Sequence, residues 1–259
     1  MPRIFFTWLT ILFLLTACAP AITLPAATPT NTLAPVSSPA LPTFTLTASP
    51  SPVPTPSRRA ELSQVEPLVQ ARVSDEVAFS AAAPGITLPV GGEAQTGEEG
   101  RARLDLAPDG TIIRLAPNTH FALSKLDEEA GNPFTDLELF FGQLYILLSG
   151  GELQVQTPAG VASVRGSMMG VSYDHAAETM IVTCLEGHCS LQNEGGRIEL
   201  VAGQAADIIR GNLARGPRSL TDGELYGWLE NAPELNDFPD LLGGLRERID
   251  KLPKLPRRR

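Results

Sequence analysis

The chain has 259 residues, a formal net charge of −9 and 43% hydrophobic residues. That length suits one domain of ordinary size with extensions. The acidic balance argues against nucleic acid as a partner, because a phosphate backbone is gripped by clustered Lys and Arg. The one basic cluster, Lys251 to Arg259, stands at the C-terminus and reads as a solvated tail.

At the N-terminus, Met1-Pro2-Arg3 is a short positive start, and Ile4 to Leu15 is an apolar run broken only by Thr7 and Thr10. A membrane-spanning helix needs about 20 apolar residues, so this shorter run predicts a cleaved signal peptide. Leu15-Thr16-Ala17-Cys18 follows and resembles a bacterial lipobox. The resemblance implies cleavage after Ala17 and lipidation of Cys18, with the mature protein held on a membrane without spanning it. Two or three acyl chains anchor stably, since each buried methylene contributes about 0.8 kcal/mol. The alternative is an ordinary secretory signal that leaves Cys18 as a thiol.

From Ala19 to Ser57 no residue is charged, and proline recurs among Thr, Ser and Ala. Such a segment has no periodic apolar face to bury. It predicts a tether that reaches about 120 Å as polyproline II and averages nearer 35 Å as a coil.

Beyond the tether the apolar residues recur with period two, cut by Gly, Pro and Asp-Gly, as β-strands require. Ala102, Leu104 and Leu106 alternate with Arg101, Arg103 and Asp105; Pro108-Asp109-Gly110 is turn chemistry, and Thr111 to Leu115 continues as a second strand. Further strands are predicted at Leu137 to Leu139, Leu144 to Leu148, Leu153 to Thr157, Val161 to Val164, Thr179 to Leu185 and Ile198 to Val201. Many short strands imply an all-β sandwich, barrel or solenoid-like fold.

An ordered series of short segments carries a family resemblance. It comprises Gly85 to Gly92 with Thr96-Gly97, Ala102 to Leu106 with Asp109-Gly110-Thr111, Thr157-Pro158 leading to Val164-Arg165-Gly166-Ser167, Leu185-Glu186-Gly187, and Ala202-Gly203-Gln204. From about Val77 to Ile209 the chain resembles FecR-type domains, with Ser167 in place of the usual Thr and Met169 in place of an aromatic. The resemblance implies an extracytoplasmic, twisted β-solenoid-like or sandwich-like domain used in sensing and protein contacts. In the type members that domain follows a transmembrane helix and a cytoplasmic segment acting on a sigma factor. Neither is read in this sequence, so the outer domain alone carries over.

Arg165-Gly166 has two readings. Arg165 beside a flexible Gly166 presents its donors to a ligand carboxylate or phosphate, or Gly166 permits a bend while Arg165 pairs with a nearby acid. The second is favoured. His120, His175 and His188 stand in no recognisable catalytic constellation, and adjacent Asp174 and His175 would point to opposite faces of a strand. No catalytic residue, metal or cofactor is therefore expected.

Apart from Cys18, only Cys184 and Cys189 are present. Outside the cytoplasm they predict a disulfide. If Glu186-Gly187 is a two-residue hairpin loop, the two cysteines face each other with Val182 and Leu191 as the next pair. A three-residue loop with Gly187 left-handed would set Cys184 against His188 instead. Downstream, Thr221-Asp222-Gly223-Glu224 reads as a capping box, starting a short helix that docks through Trp228. A second helix is expected near Leu241 to Leu252, with Leu241, Leu242, Leu245 and Ile249 on one side.

The organisation expected is a lipoprotein signal peptide over 1–18, a tether over 19–60, a FecR-like β domain over 61–212, and a short helical extension with a basic tail over 213–259. The expected role is a lipid-anchored, extracytoplasmic module binding a protein or envelope ligand in sensing or signalling. A structural or scaffold role in the cell wall or an envelope complex is the alternative, and an enzyme stands third.

Overall fold

The structure is a computed structural model that describes residues 57–129 and 131–250. Ala17, Cys18, nearly all of the expected tether and the basic tail lie outside the described residues. No helix among the described residues is long and apolar enough to cross a membrane.

Fifteen strands among these residues form one hydrogen-bonded sheet. They begin with β1 (Arg59–Val65), β2 (Val69–Arg72), β3 (Ser80–Ala81), β4 (Ile86–Leu88) and β5 (Glu93–Thr96). The middle of the chain supplies β6 (Ala102–Ala107), β7 (Thr111–Leu115), β8 (His120–Glu129), β9 (Asn132–Leu147) and β10 (Glu152–Thr157). Last come β11 (Gly160–Asp174), β12 (Thr179–Asn193), β13 (Gly196–Val201), β14 (Gln204–Ile209) and β15 (Arg215–Ser219).

Three strands are unusually long, and each changes partners midway. The first half of β9 pairs with β8 and, in parallel, with β10; its second half pairs with β7 and β11. β11 runs along β10 up to Arg165 and along β9 from Met168, while β12 leaves β14 after Cys184 and joins β13 from His188. A glycine with positive φ stands at each change: Gly142 at 98°, Gly166 at 54° and Gly187 at 69°. A Cβ on Gly142 would lie 2.4 Å from the Thr119 Cα, and one on Gly187 would lie 2.5 Å from the Ser167 Oγ. Those two corners therefore admit no side chain.

The corners fold the sheet into two layers. The first has the order β3-β2-β5-β8-β9-β10-β11-β12-β13, using the first halves of β9 and β11 and the second half of β12. The second has the order β4-β1-β6-β7-β9-β11-β12-β14-β15, using the remaining halves. Leu137, Leu153, Val164 and Leu191 from the first layer meet Leu62, Leu104, Ile113 and Val182 from the second in one buried core. Each such side chain contributes roughly 1.5–3 kcal/mol by leaving water. This is the all-β, sandwich-like architecture with a short helical C-terminal part that the strand pattern implied.

Two boundaries differ from the expectation. The strand system begins at Arg59, inside the stretch assigned to the tether, because β1 fills a place between β4 and β6. It also continues through β15, inside the stretch assigned to the helical extension, because Arg215 and Arg218 pair with Asp207.

The helical segment comprises α1 (Asp222–Asn231), a 3-10 turn at Pro233–Asp237 and α2 (Pro239–Asp250). α1 starts on a capping box: the Thr221 Oγ1 accepts from the Glu224 amide, and the Glu224 carboxylate accepts from the Thr221 amide at 2.7 Å. Leu225, Trp228 and Leu235 join Tyr145, Leu147, Met168 and Leu185 in a second core on the outer face of the second layer. Trp228 is fully buried, stands edge-on to Tyr145 at 5.0 Å between ring centroids, and donates from Nε1 to the Thr183 Oγ1 at 3.1 Å. Burial pushes the Tyr145 phenol up to about 12. The side chains of Leu242, Leu245 and Ile249 lie outside the described ones.

Candidate functional site

The C-terminal segment packs on the outer face of the second layer. The outer face of the first layer presents Gln156, Arg165, His188, Gln192 and Arg197 to solvent. Strand alternation sets this division: Leu153, Val155, Ala162 and Val164 point into the core, so Gln154, Gln156, Ser163 and Arg165 point out.

The residues of the Thr157 to Ser167 motif take several places around this face. Thr157 and Pro158 form the turn between β10 and β11, where the Thr157 Oγ1 accepts from the amides of Ala159 and Gly160, both at 3.2 Å. Val164 is in the core. Arg165 is exposed and donates from Nε and a terminal nitrogen to one Glu152 oxygen, at 2.9 and 2.7 Å. Gly166 makes the corner of β11, and Ser167 is buried beside Gly187 with no hydrogen-bond partner for its hydroxyl. The geometry is that of the second reading of Arg165-Gly166, a bend with an acid for the arginine.

Cys184 and Cys189 form a disulfide with 5.7 Å between their α-carbons. The hairpin expected around it is absent. β12 passes through Glu186-Gly187 as one strand, with Cys184 opposite Met169 and Gln204 and Cys189 opposite Val164 and Leu200. Five residues of extended strand would separate the two by roughly 16 Å, so the short distance measures the sharpness of the corner. Both sulfurs lie in the core, and Val182 and Leu191 reach it from opposite layers. Pairing signals for a two-residue turn are also the signals for a left-handed glycine at a corner, which is why the sequence suggested a hairpin. A Cys184→Ala, Cys189→Ala double variant is expected to lose about 2 kcal/mol of stability, the entropy term for so short a loop. Denaturant unfolding of oxidised wild type and variant tests this, and equal midpoints would show that the corner holds without the bridge.

Sequence reading missed one polar cluster on the same face. The His120 Nε2 meets the Glu93 Oε2 at 2.7 Å, Arg72 pairs with the other Glu93 oxygen, and Arg72 also lies over the Phe79 ring at 4.6 Å. Phe79 and Phe140 flank His120, with ring centroids at 5.6 and 4.5 Å. These residues come from β2, the loop before β3, β5, β8 and β9, and only the tertiary fold joins them. Burial alone would push the Glu93 carboxyl up, but hydrogen bonds and charge from Arg72 and His120 outweigh it and hold the group below the usual carboxylate range. A depressed folded-state value contributes stability that is fully present above the ordinary carboxylate range and is lost as pH falls through the depressed value. Wild type should therefore lose more stability than Glu93→Gln between pH 7 and pH 3. Parallel acid limbs in thermal scans of the two would refute this.

His175 and His188 stand apart from that cluster, the first at the β11–β12 turn and the second opposite Arg165. Among the described residues no group of three or more His, Cys, Asp or Glu is placed to hold a metal ion.

Beside Arg165 the open face is concave. A groove of about 810 Å³ runs along β11 between β10 and the β12–β13 turn, and Thr157, Pro158 and Arg165 of the motif line it.

The sequence model of the family described as FecR protein matches residues 93–190, a narrower span than the resemblance read from the residues. No curated protein matches the chain. Two crystal structures of a "putative anti-sigma factor" from Parabacteroides distasonis are similar to it, each with 16% identity and a TM-score of 0.44 over 53% of this chain. The match covers 64% and 63% of those chains, less than two thirds of their length.

Proposed function

We propose, from the match of residues 93–190 to the family described as FecR protein, that the chain is a signalling module that works by binding, held outside the cytoplasm by lipidated Cys18. The family match is the observation that carries this reading. The leader ending in Leu15-Thr16-Ala17-Cys18 and the uncharged Pro/Thr/Ser stretch behind it support the anchor and the tether. The outer face of the first layer is the contact surface, since the C-terminal segment occupies the other outer face. The partner is a protein or an envelope ligand, and the module itself performs no catalysis.

Cell fractionation tests the anchor. Wild-type protein is expected to sediment with membranes and to resist salt extraction, while Cys18→Ser is released. A serine variant that stays with the membrane after salt washing would overturn the lipid anchor. A photo-crosslinking residue at Gln156 should capture a partner from the envelope, and the same residue at Tyr226 on α1 should not. Capture from Tyr226 alone would move the contact surface to the helical side.

A further inference from the structure

We infer that the groove along β11 is a binding site for an uncharged, N-acetylated glycan chain. This rests on the reading of the domain as a binding module and names the ligand class its open face fits.

Charge is the first ground. Four charged residues line the groove, Glu152 and Glu194 against Arg165 and Arg197, so its formal charge cancels. Three of the four are already engaged on the face itself: Arg165 and Glu152 pair with each other, and Arg197 donates to Glu199. An anionic polymer or a basic peptide would find no excess of opposite charge there.

Hydrogen-bonding capacity is the second. The Gln154 amide, on a residue that lines the groove, donates to Glu152 at 3.1 Å, which leaves its carbonyl oxygen as an acceptor. The Gln192 carbonyl accepts from Arg197 at 3.4 Å, which leaves its NH₂ as a donor. On β11, directly opposite Gln154 and two residues along from Val161, which faces Gln192, stands Ser163, whose hydroxyl both donates and accepts. Neutral donors and acceptors set side by side on adjacent strands match sugar hydroxyls, and the two amides match acetamido groups.

Shape is the third ground. The groove's volume of about 810 Å³ falls in the range of roughly 300–1,000 Å³ typical of ligand clefts, and its lining follows β10 from Glu152 to Thr157 and β11 from Gly160 to Arg165. Pro158 and Val161 supply the apolar surface on which the C–H face of a sugar ring can rest. The site uses Thr157 and Pro158 to shape its end and Arg165 as a wall, which gives the outward-facing part of the motif a role beyond the corner.

The test is calorimetric titration of the full chain in detergent with the tetramer of β-1,4-linked N-acetylglucosamine, with heparin as the anionic comparison. Saturable binding of the tetramer and none of heparin is expected. Ser163→Trp, which fills the floor, should abolish binding. Gln154→Ala and Gln192→Ala should each weaken it roughly five-fold, the loss of one neutral hydrogen bond. All three change outward-facing residues, so their unfolding midpoints should match wild type. Failure of the tetramer to bind, binding unchanged in folded Ser163→Trp, or tighter binding of heparin would each overturn the inference. If the tetramer fails while envelope crosslinking from Gln156 still succeeds, the glycan assignment falls and the binding-module reading stands.

Discussion

Replacing Arg58 with alanine is expected to cost about 3 kcal/mol, which for a domain of this size lowers the unfolding midpoint by roughly 6–12 °C. The Arg58 guanidinium sits where the chain enters the folded domain and is nearly all buried, as is its partner Asp109. It donates to both Asp109 oxygens at 3.2 and 2.9 Å, to the carbonyls of Asp127 and Phe134 at 2.7 Å, and to the Thr135 Oγ1 at 3.0 Å. Those partners belong to the β6–β7 turn in the second layer and the β8–β9 hairpin in the first. One side chain therefore stitches both layers just before β1 begins. Removing it leaves a buried carboxylate and two carbonyls without their donor, which is why the loss exceeds that of a surface pair. Asp109→Asn should cost less, because the amide still offers one acceptor, and the double variant should fall short of the sum of the two single losses. Thermal scans of the four proteins check this. An Arg58→Ala midpoint within 2 °C of wild type, a tolerance of roughly 1 kcal/mol, would mean that water takes over the contacts.

Trp228→Ala is expected to cost about 4 kcal/mol and to free the C-terminal segment from the sheet. The indole is fully buried, and the surrounding residues come from β9, β11, β12 and α1, so no single element can collapse into the space. Gly170 makes the close fit possible: a Cβ there would lie 2.4 Å from the Thr183 Oγ1 and 3.3 Å from the indole ring. Trp228→Phe should cost less, keeping most of the buried area and losing the bond to Thr183. Limited proteolysis gives a second readout, with cleavage between Leu225 and Leu235 expected in the alanine variant only. A fully protected segment and a loss under 1 kcal/mol would show that the ion pairs of the segment suffice. Those pairs are Arg101 with Glu230, Arg103 and Arg114 with Glu234, and Arg218 with Glu224.

These two side chains mark the limit of what local pattern conveys. The alternation Ala102, Leu104, Leu106 was legible because every second residue of a strand faces the core, whatever its partner strand. The capping box at Thr221 was legible for the same reason, since its contacts close within four residues. With only two cysteines apart from Cys18, the bridge itself was also within reach.

By itself, then, the sequence determined the β class, the strands at Leu153 to Thr157 and Val161 to Val164, the start of α1 and the identity of the bridged cysteines. Tertiary structure decided the rest. Leu137 to Leu139 and Leu144 to Leu148 look like two strands because the alternation breaks at Phe140, Phe141 and Gly142, and only the pairing on both sides shows one strand turning a corner. Arg58 with Asp109 and His120 with Glu93 are joined across 51 and 27 residues. Register between distant strands selects such partners, and it depends on the summed packing of a shared core, a property of the whole chain that no short segment of it encodes.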